Sequence, residues 1–339
     1  MVRFTQIRLS SSVDFATRNN ARVVTLNRPK ALNALNHAMV KAMRPQLAAW
    51  SAESGFSCAI IKGAGEKAFC AGGDIKDLTL PTYEGDYSGT FFFREEYQLD
   101  YQIATYSHPF VALMNGVVMG GGVGLSIHAP IRIGNERTLF AMPETGIGLF
   151  PDVGAGHFLS RVKQPGLGMY LGLTGERLKG VNNKHAGVIT HYVDSARMDE
   201  IEAELSQLAP GTTTGEIDAF VKQFETPQPG DFALQDQLAQ IEHYFANKQS
   251  IGQVIVELEA ASSDEWAAKV AKKLRRMSPM SLAITHEQIK RAASMDLAEI
   301  FAMEYRLAYS CIRHEFAEGV RSVFVIVTSS YLLYFLEHY

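Results

Sequence analysis

From Val13 to Val193 short apolar segments of strand character alternate with helical stripes across short connections, and beyond Asp199 the strand patterns stop. That alternation restricts the chain to an α/β core followed by a helical lobe. Val13 to Leu26 reads as a β-hairpin turning at Arg18-Asn19-Asn20. His37 to Ser54 reads as a helix, with Met39, Val40, Met43, Leu47 and Trp50 on one stripe, Asn36 as N-cap and Gly55 as the stop. Cys58 to Lys62 is a short buried strand, followed by a glycine-rich loop from Gly63 to Gly73. A helix from about Ser88 to Tyr106 and a strand at Phe110 to Asn115 come next. The glycine triplet Gly120-Gly121-Gly122 then opens a helix through His128, and Ile131 to Gly134 and Thr138 to Met142 are two more strands. Helical patterns run on to Val320, broken at Pro210-Gly211 and Pro227 to Gly230. The expected division is an α/β core over 13–200 carrying the active site and a helical lobe over 201–322, with the boundary between 195 and 210. Segments 1–12 and 323–339 stand apart from both.

Composition narrows the function. A net charge of −4 offers no broad cationic field for nucleic acid or anionic membrane, which favours a small-molecule substrate. Cys58, Cys70 and Cys311 are too few and too dispersed for a disulfide framework, no Cys/His cluster has zinc spacing, and no metal is expected. Gly120-Gly121-Gly122-Val123-Gly124 does not complete a dinucleotide fingerprint. Met1 to Ser12, with Arg3, Arg8, three consecutive serines and no acid, suits the end of an organellar presequence or a short disordered tail. Val323 to Leu336 is apolar except for Thr328-Ser329-Ser330, but at 14 residues it is too short to span a bilayer and reads as a packed or aberrant terminus.

Four segments could carry chemistry. Glu144 and Asp152 each follow a proline, some twenty residues or more beyond the glycine triplet. Acids on stiff backbone near bare peptide N–H groups suit acyl chemistry, because one can attack or deprotonate while the N–H groups hold an oxyanion. Asp152 could equally cap a helix. The triplet, between strand and helix, offers unpaired N–H groups or close packing. Phe69-Cys70-Ala71-Gly72-Gly73-Asp74 allows close backbone approach to a ligand or forms a tight turn. Glu96 falls on the stripe of Phe92, Leu99 and Ile103, where an acid is costly unless functional or satisfied by an arginine such as Arg94.

Together these segments resemble the enoyl-CoA hydratase/isomerase (crotonase) superfamily. Leu26 to Leu35, Ala68 to Lys76 and the glycine triplet carry the likeness. Phe92 to Tyr97, Met119 to Ser126, Met142 to Gly154 and Met303 to Leu307 resemble its branch that hydrolyses 3-hydroxyisobutyryl-CoA in valine breakdown. The likeness runs from about Val13 to Val323. It implies a spiral of ββα turns followed by a helical C-terminal region, and a mitochondrial matrix location. By position it implies oxyanion-hole donors at Gly73 and Gly121, and a retained acid at Glu144. Where the hydratases carry a second catalytic glutamate this chain has Gly124, which turns the resemblance away from hydration. Asp152 marks the hydrolase branch, and Glu96 is expected to hydrogen-bond the substrate hydroxyl.

The same resemblance lays CoA along Lys30, Ala31, Leu32 and Asn33 and along Ala71, Asp74, Ile75 and Lys76, with Lys76 as a phosphate contact. No cofactor is expected beyond the coenzyme A of the substrate. The partner is an acyl-CoA, with no nucleic acid and no membrane, and a homo-oligomer is a further expectation. The alternatives are a hydratase or isomerase on the same fold, and a non-catalytic relative associated with mitochondrial ribosomes. After Arg321 the likeness ends, because Ser322 to Tyr339 is apolar and aromatic where relatives carry a charged stretch.

Overall fold

The computed structural model describes residues 12–79, 87, 89–227 and 230–327, without the side chains of Lys76, Thr79 and 323–327. The expectations for 1–11 and 328–339, and for a phosphate contact by the Lys76 side chain, therefore lie outside the described residues.

Among the described residues, ten short strands form two sheets: β1 (Val13–Arg18), β2 (Ala21–Leu26), β3 (Cys58–Gly63), β4 (Ala68–Cys70), β5 (Phe110–Met114), β6 (Val117–Met119), β7 (Ile131–Gly134), β8 (Leu139–Ala141), β9 (Leu178–Lys179) and β10 (His191–Tyr192). One sheet has the order β1-β2-β3-β5-β7-β10 and the other β4-β6-β8-β9. Each successive pair, β3/β4, β5/β6 and β7/β8, gives one strand to each sheet before a helical segment returns the chain. Equivalent strands then lie side by side and parallel, with Ala59 opposite Phe110, Val111 opposite Ile131 and Val117 opposite Leu139. This is the expected ββα spiral.

The central strands are buried on both faces, which is why they read as continuous apolar runs. Alternate residues point opposite ways. Val24, Ala59 and Ile61 join the main core, while Val23, Cys58 and Ile60 join a second core closed by Met198, Ile201, Leu205, Ile217 and Val221. The helices at and just past the expected boundary, Met198–Gln207 and Thr214–Lys222, thus cover the outer face of the larger sheet. The His37–Ser51 helix buries the stripe read from sequence, and the Asn36 side chain accepts from Met39 N–H at 3.0 Å. It ends three residues earlier than expected. Strands β4 and β6 were not legible, because each is three residues set beside glycine-rich segments; β8 is as short but stands out because Met142 extends its apolar run.

Two later helices close over the glycine-rich loops. Leu297–His314 packs on Gly89–Ala104, and Phe316–Val327 packs on the single turn Glu144–Ile147. The second contact depends on paired glycines. A Cβ at Gly319 would collide with the Ile147 carbonyl carbon, and one at Gly148 would lie 2.5 Å from Glu315 O. Gly319→Val should therefore lower stability by about 1–3 kcal/mol through overpacking, read as a lower urea midpoint. An unchanged midpoint would mean that the helix does not dock this closely.

Candidate active site

The loop segments expected at CoA lie together. Leu35 N–H donates to Gly72 O at 2.8 Å, Asp74 N–H to Leu35 O at 2.6 Å, and Ala71 N–H to Leu32 O at 3.0 Å. Leu35 and Gly73 thus form a parallel bridge in which both bonds belong to Leu35 and the neighbours of Gly73. Gly73's own N–H points away from the bridge and, among the described residues, has no protein acceptor. Leu32 and Asn33 sit at φ +49° and +56°, a conformation that non-glycine residues adopt at a cost. The Asn33 carboxamide holds it by donating to Ala64 O at 3.0 Å and Ala68 O at 2.8 Å and accepting from Arg28 N–H at 2.9 Å. That side chain faces inward, so any contact it makes with CoA falls to its backbone. Asp74 is paired with Arg28 at 2.8 Å. Lys30 is exposed, and Ala31, Leu32, Ala71 and Ile75 are partly so, along one rim.

Gly121 opens the Gly121–Ile127 helix, where the first N–H groups have no helical acceptor. A Cβ at Gly121 would collide with Glu96 Oε1, and one at Gly120 would lie 3.2 Å from Glu144 Oε1 and 3.5 Å from Gly72 Cα. The two candidate oxyanion glycines, Glu96 and Glu144 therefore border one small space.

Glu144 follows Pro143 past the end of β8 and begins the 3-10 turn Glu144–Ile147, whose end is tied by Leu149 N–H to Glu144 O at 3.1 Å. Asp152 follows Pro151, and the Tyr97 hydroxyl donates to its Oδ2 at 2.7 Å. It does not cap a helix. The Ala155–Leu159 helix starts at Gly154 without a side-chain cap. A carboxylate from the helical lobe takes that role: Glu304 accepts from Gly154 N–H at 2.7 Å, Gly156 N–H at 3.1 Å and Gln288 Nε2 at 2.8 Å. Gln288 also donates to Pro151 O at 2.7 Å, and His128 Nε2 donates to Val153 O at 2.8 Å. These bonds hold Val153 at φ +55°, strained for a β-branched residue, and with it the direction of Asp152.

Glu96 is 2% exposed and makes no ion pair with Arg94, which points to solvent; its neighbour Glu95 pairs instead with His37. One turn on, Asp100 is fully buried, with both carboxyl oxygens unpartnered. A Cβ at Gly124 would lie 2.6 Å from Asp100 Oδ2. Sequence reasoning missed Asp100, Tyr97 and Glu304 as parts of this site. For Asp100 the signal was present, since it stands four residues after Glu96 on the same helix.

Among the described residues, no Lys or Arg pairs with Glu96, Asp100, Glu144, Asp152 or Glu304. Burial pushes every one upward. Glu96 and Glu144 are raised well above the carboxylate range by burial first and then by Asp152. Asp100 is raised by burial, then by Glu96. Asp152 is pushed up to about 7 by burial, against the pull of the Tyr97 hydroxyl. Glu304 is pushed up to about 8 by burial, against its three N–H donors. His128 is pushed down to about 4 by burial, so it does not offset them near neutrality. The cluster therefore holds protons at neutral pH, and it joins carboxyl groups to unused backbone N–H donors, as acyl transfer requires.

The family model for enoyl-CoA hydratase/isomerase matches residues 21–329. The chain belongs to the enoyl-CoA hydratase/isomerase family. It is 46% identical over 319 residues to mitochondrial 3-hydroxyisobutyryl-CoA hydrolase of Danio rerio, covering 93% of this chain and 83% of that one. The Homo sapiens protein of the same name is 42% identical, covering 89% of this chain and 79% of that one. Among solved structures, an enoyl-CoA hydratase from Rhodobacter sphaeroides matches with TM-score 0.84 and 35% identity, over 94% of this chain and 91% of that one. A carnitinyl-CoA dehydratase from Mycobacterium thermoresistibile matches with TM-score 0.84 and 32% identity, over 92% and 89%. The crotonase fold expected from the resemblance is thus borne out.

The acid cluster has a consequence for stability. A carboxyl whose pKa is higher folded than unfolded binds more protons in the folded state. Its stabilisation is complete below the unfolded pKa and is lost as pH rises through the folded one. Glu96→Gln removes one such group, while the titrating histidines cancel in the comparison with wild type. The variant should gain stability relative to wild type as pH rises from 5 to 8, measured by urea denaturation. A difference that stays flat or shrinks would contradict the assignment.

Proposed function

We propose that this protein hydrolyses the thioester of 3-hydroxyisobutyryl-CoA, giving 3-hydroxyisobutyrate and free CoA in valine breakdown, and that it works in mitochondria. The relatives at 46% and 42% identity carry that activity and location in their names. The observation that carries the reading at the site is Gly124. Hydration of a double bond needs an acid/base pair across the water, and the hydratase resemblance puts the second acid at this position. Here the space that such a side chain would enter is filled by Asp100 Oδ2 and by Val153, whose Cβ lies 2.7 Å from the place a Cβ on residue 124 would take. That disfavours the hydratase activity in the name of the Rhodobacter structure.

In the reaction, the thioester carbonyl oxygen sits between the N–H groups of Gly73 and Gly121. Neither has an acceptor among the described residues, so both can strengthen their bonds as charge develops on the oxygen. Losing one such donor typically costs about 3–4 kcal/mol of barrier. Glu144, whose Oε1 lies beside Gly120, acts in one of two ways. It attacks the carbonyl carbon and expels the CoA thiolate, and water then opens the resulting anhydride, or it takes a proton from water that attacks directly. Both routes consume one water and release acid and thiol. Asp152, oriented by Tyr97 and carrying a proton near neutrality, supplies one to the leaving sulfur. Glu96 accepts a hydrogen bond from the substrate hydroxyl. CoA lies along the Lys30–Asn33 and Ala71–Lys76 segments, and no cofactor takes part beyond the CoA of the substrate.

Purified protein should release thiol from 3-hydroxyisobutyryl-CoA and leave crotonyl-CoA unhydrated. Hydration without thiol release would sink the proposal. Glu144→Gln should lower kcat by roughly 10²–10⁴-fold while CoA still binds, as judged by calorimetry. A fully active variant would remove Glu144 from the mechanism.

A further inference from the structure

Asp100 is not used by the mechanism above. It shares the Gly89–Ala104 helix with Glu96, and residues four apart on a helix project from one face. That face meets a helix with no side chains at the contact points. A Cβ at Gly121 would collide with Glu96 Oε1, and Asp100 Oδ2 lies 2.6 Å from the Cβ position of Gly124. The two glycines are three residues apart, so the pair of acids is seated against a matched pair of bare backbone positions.

Glu96 Oε1 and both Asp100 oxygens are buried with no hydrogen-bond partner among the described residues, in side chains 2% and 0% exposed. The titratable groups around them are Glu144, Asp152, Glu304, Tyr97 and Cys70; the Tyr97 hydroxyl is already committed to Asp152 and the Cys70 thiol to Gly72 O. Two neighbouring carboxyls in such a site cannot both ionise cheaply, as like charges and burial both favour keeping a proton.

We propose that Glu96 and Asp100 form one carboxyl pair sharing a single proton, and that this pair recognises the substrate hydroxyl. The ionised member accepts the hydroxyl proton, and the protonated member donates to the hydroxyl oxygen. The inference rests on the thioesterase reading for its substrate but adds a specificity residue to it. In a 3-hydroxyacyl thioester the hydroxyl carbon is two bonds from the carbonyl carbon. A carbonyl oxygen on Gly121 N–H therefore brings the hydroxyl close to the glycine against which Glu96 lies. A hydroxyl satisfies one donor and one acceptor together. An unsubstituted acyl chain leaves both unpaired, which is the costly case for a buried polar site.

Two measurements test this. In the free protein at pH 8, where exposed carboxyls are ionised, the infrared band of protonated carboxyl should weaken in both Glu96→Gln and Asp100→Asn. A band unchanged in both overturns the shared proton without reference to any substrate. In turnover, the kcat/KM ratio of 3-hydroxyisobutyryl-CoA to isobutyryl-CoA should fall roughly ten- to hundredfold in Asp100→Leu. It should fall less in Asp100→Asn, which keeps a donor and guards against misfolding of the leucine variant. A wild-type ratio in both variants overturns the role in recognition. A wild type that cleaves neither thioester sinks the thioesterase reading instead, and the infrared result then decides the pair.

Discussion

Five carboxyl groups, those of Glu96, Asp100, Glu144, Asp152 and Glu304, share one buried region without a Lys or Arg partner among the described residues. Burial and mutual repulsion both oppose such an arrangement, and an unfolded chain would disperse it. It persists because the surrounding fold over-determines where each acid sits. Much of the architecture is explicable as the means of holding these groups together.

The α/β spiral supplies the backbone half of that support. Equivalent turns stack in register, so the loop after β4 and the loop after β6 emerge side by side and bring Gly72 against Gly120. The Leu35–Gly73 bridge turns one N–H outward, and a helix start frees another. The helical lobe supplies the second half. Glu304 and Gln288 tie down the Pro151–Gly156 segment, and the glycine contact at Gly148 and Gly319 seats the Phe316–Val327 helix on the turn that begins with Glu144. The lobe is thus a structural component of the site, and the strain at Val153 is stored where the candidate acid Asp152 needs its direction.

Legibility followed the length and chemistry of each signal. The Gly89–Ala104 helix and the stripe of His37–Ser51 could be read because several turns repeat a period. Glu96 stood out as an acid on an apolar stripe, and the structure leaves it buried without an arginine. Asp152 was ambiguous between cap and site. Only the arrival of Glu304 from 150 residues away, bonded to the Gly154 N–H, removed the cap reading. Asn33 was expected at CoA, and its carboxamide is instead consumed in holding its own loop.

By itself, the sequence determined the class of fold, the family likeness and the short list of acids and glycines, since these depend on local periods, proline and glycine positions and residue type. Tertiary structure decided which of those groups meet. Asp100 opposite Gly124, Glu304 on Gly154 and Glu144 beside Gly120 are contacts between distant segments. Their chemistry arises from burial and from neighbours in space, neither of which a local pattern encodes.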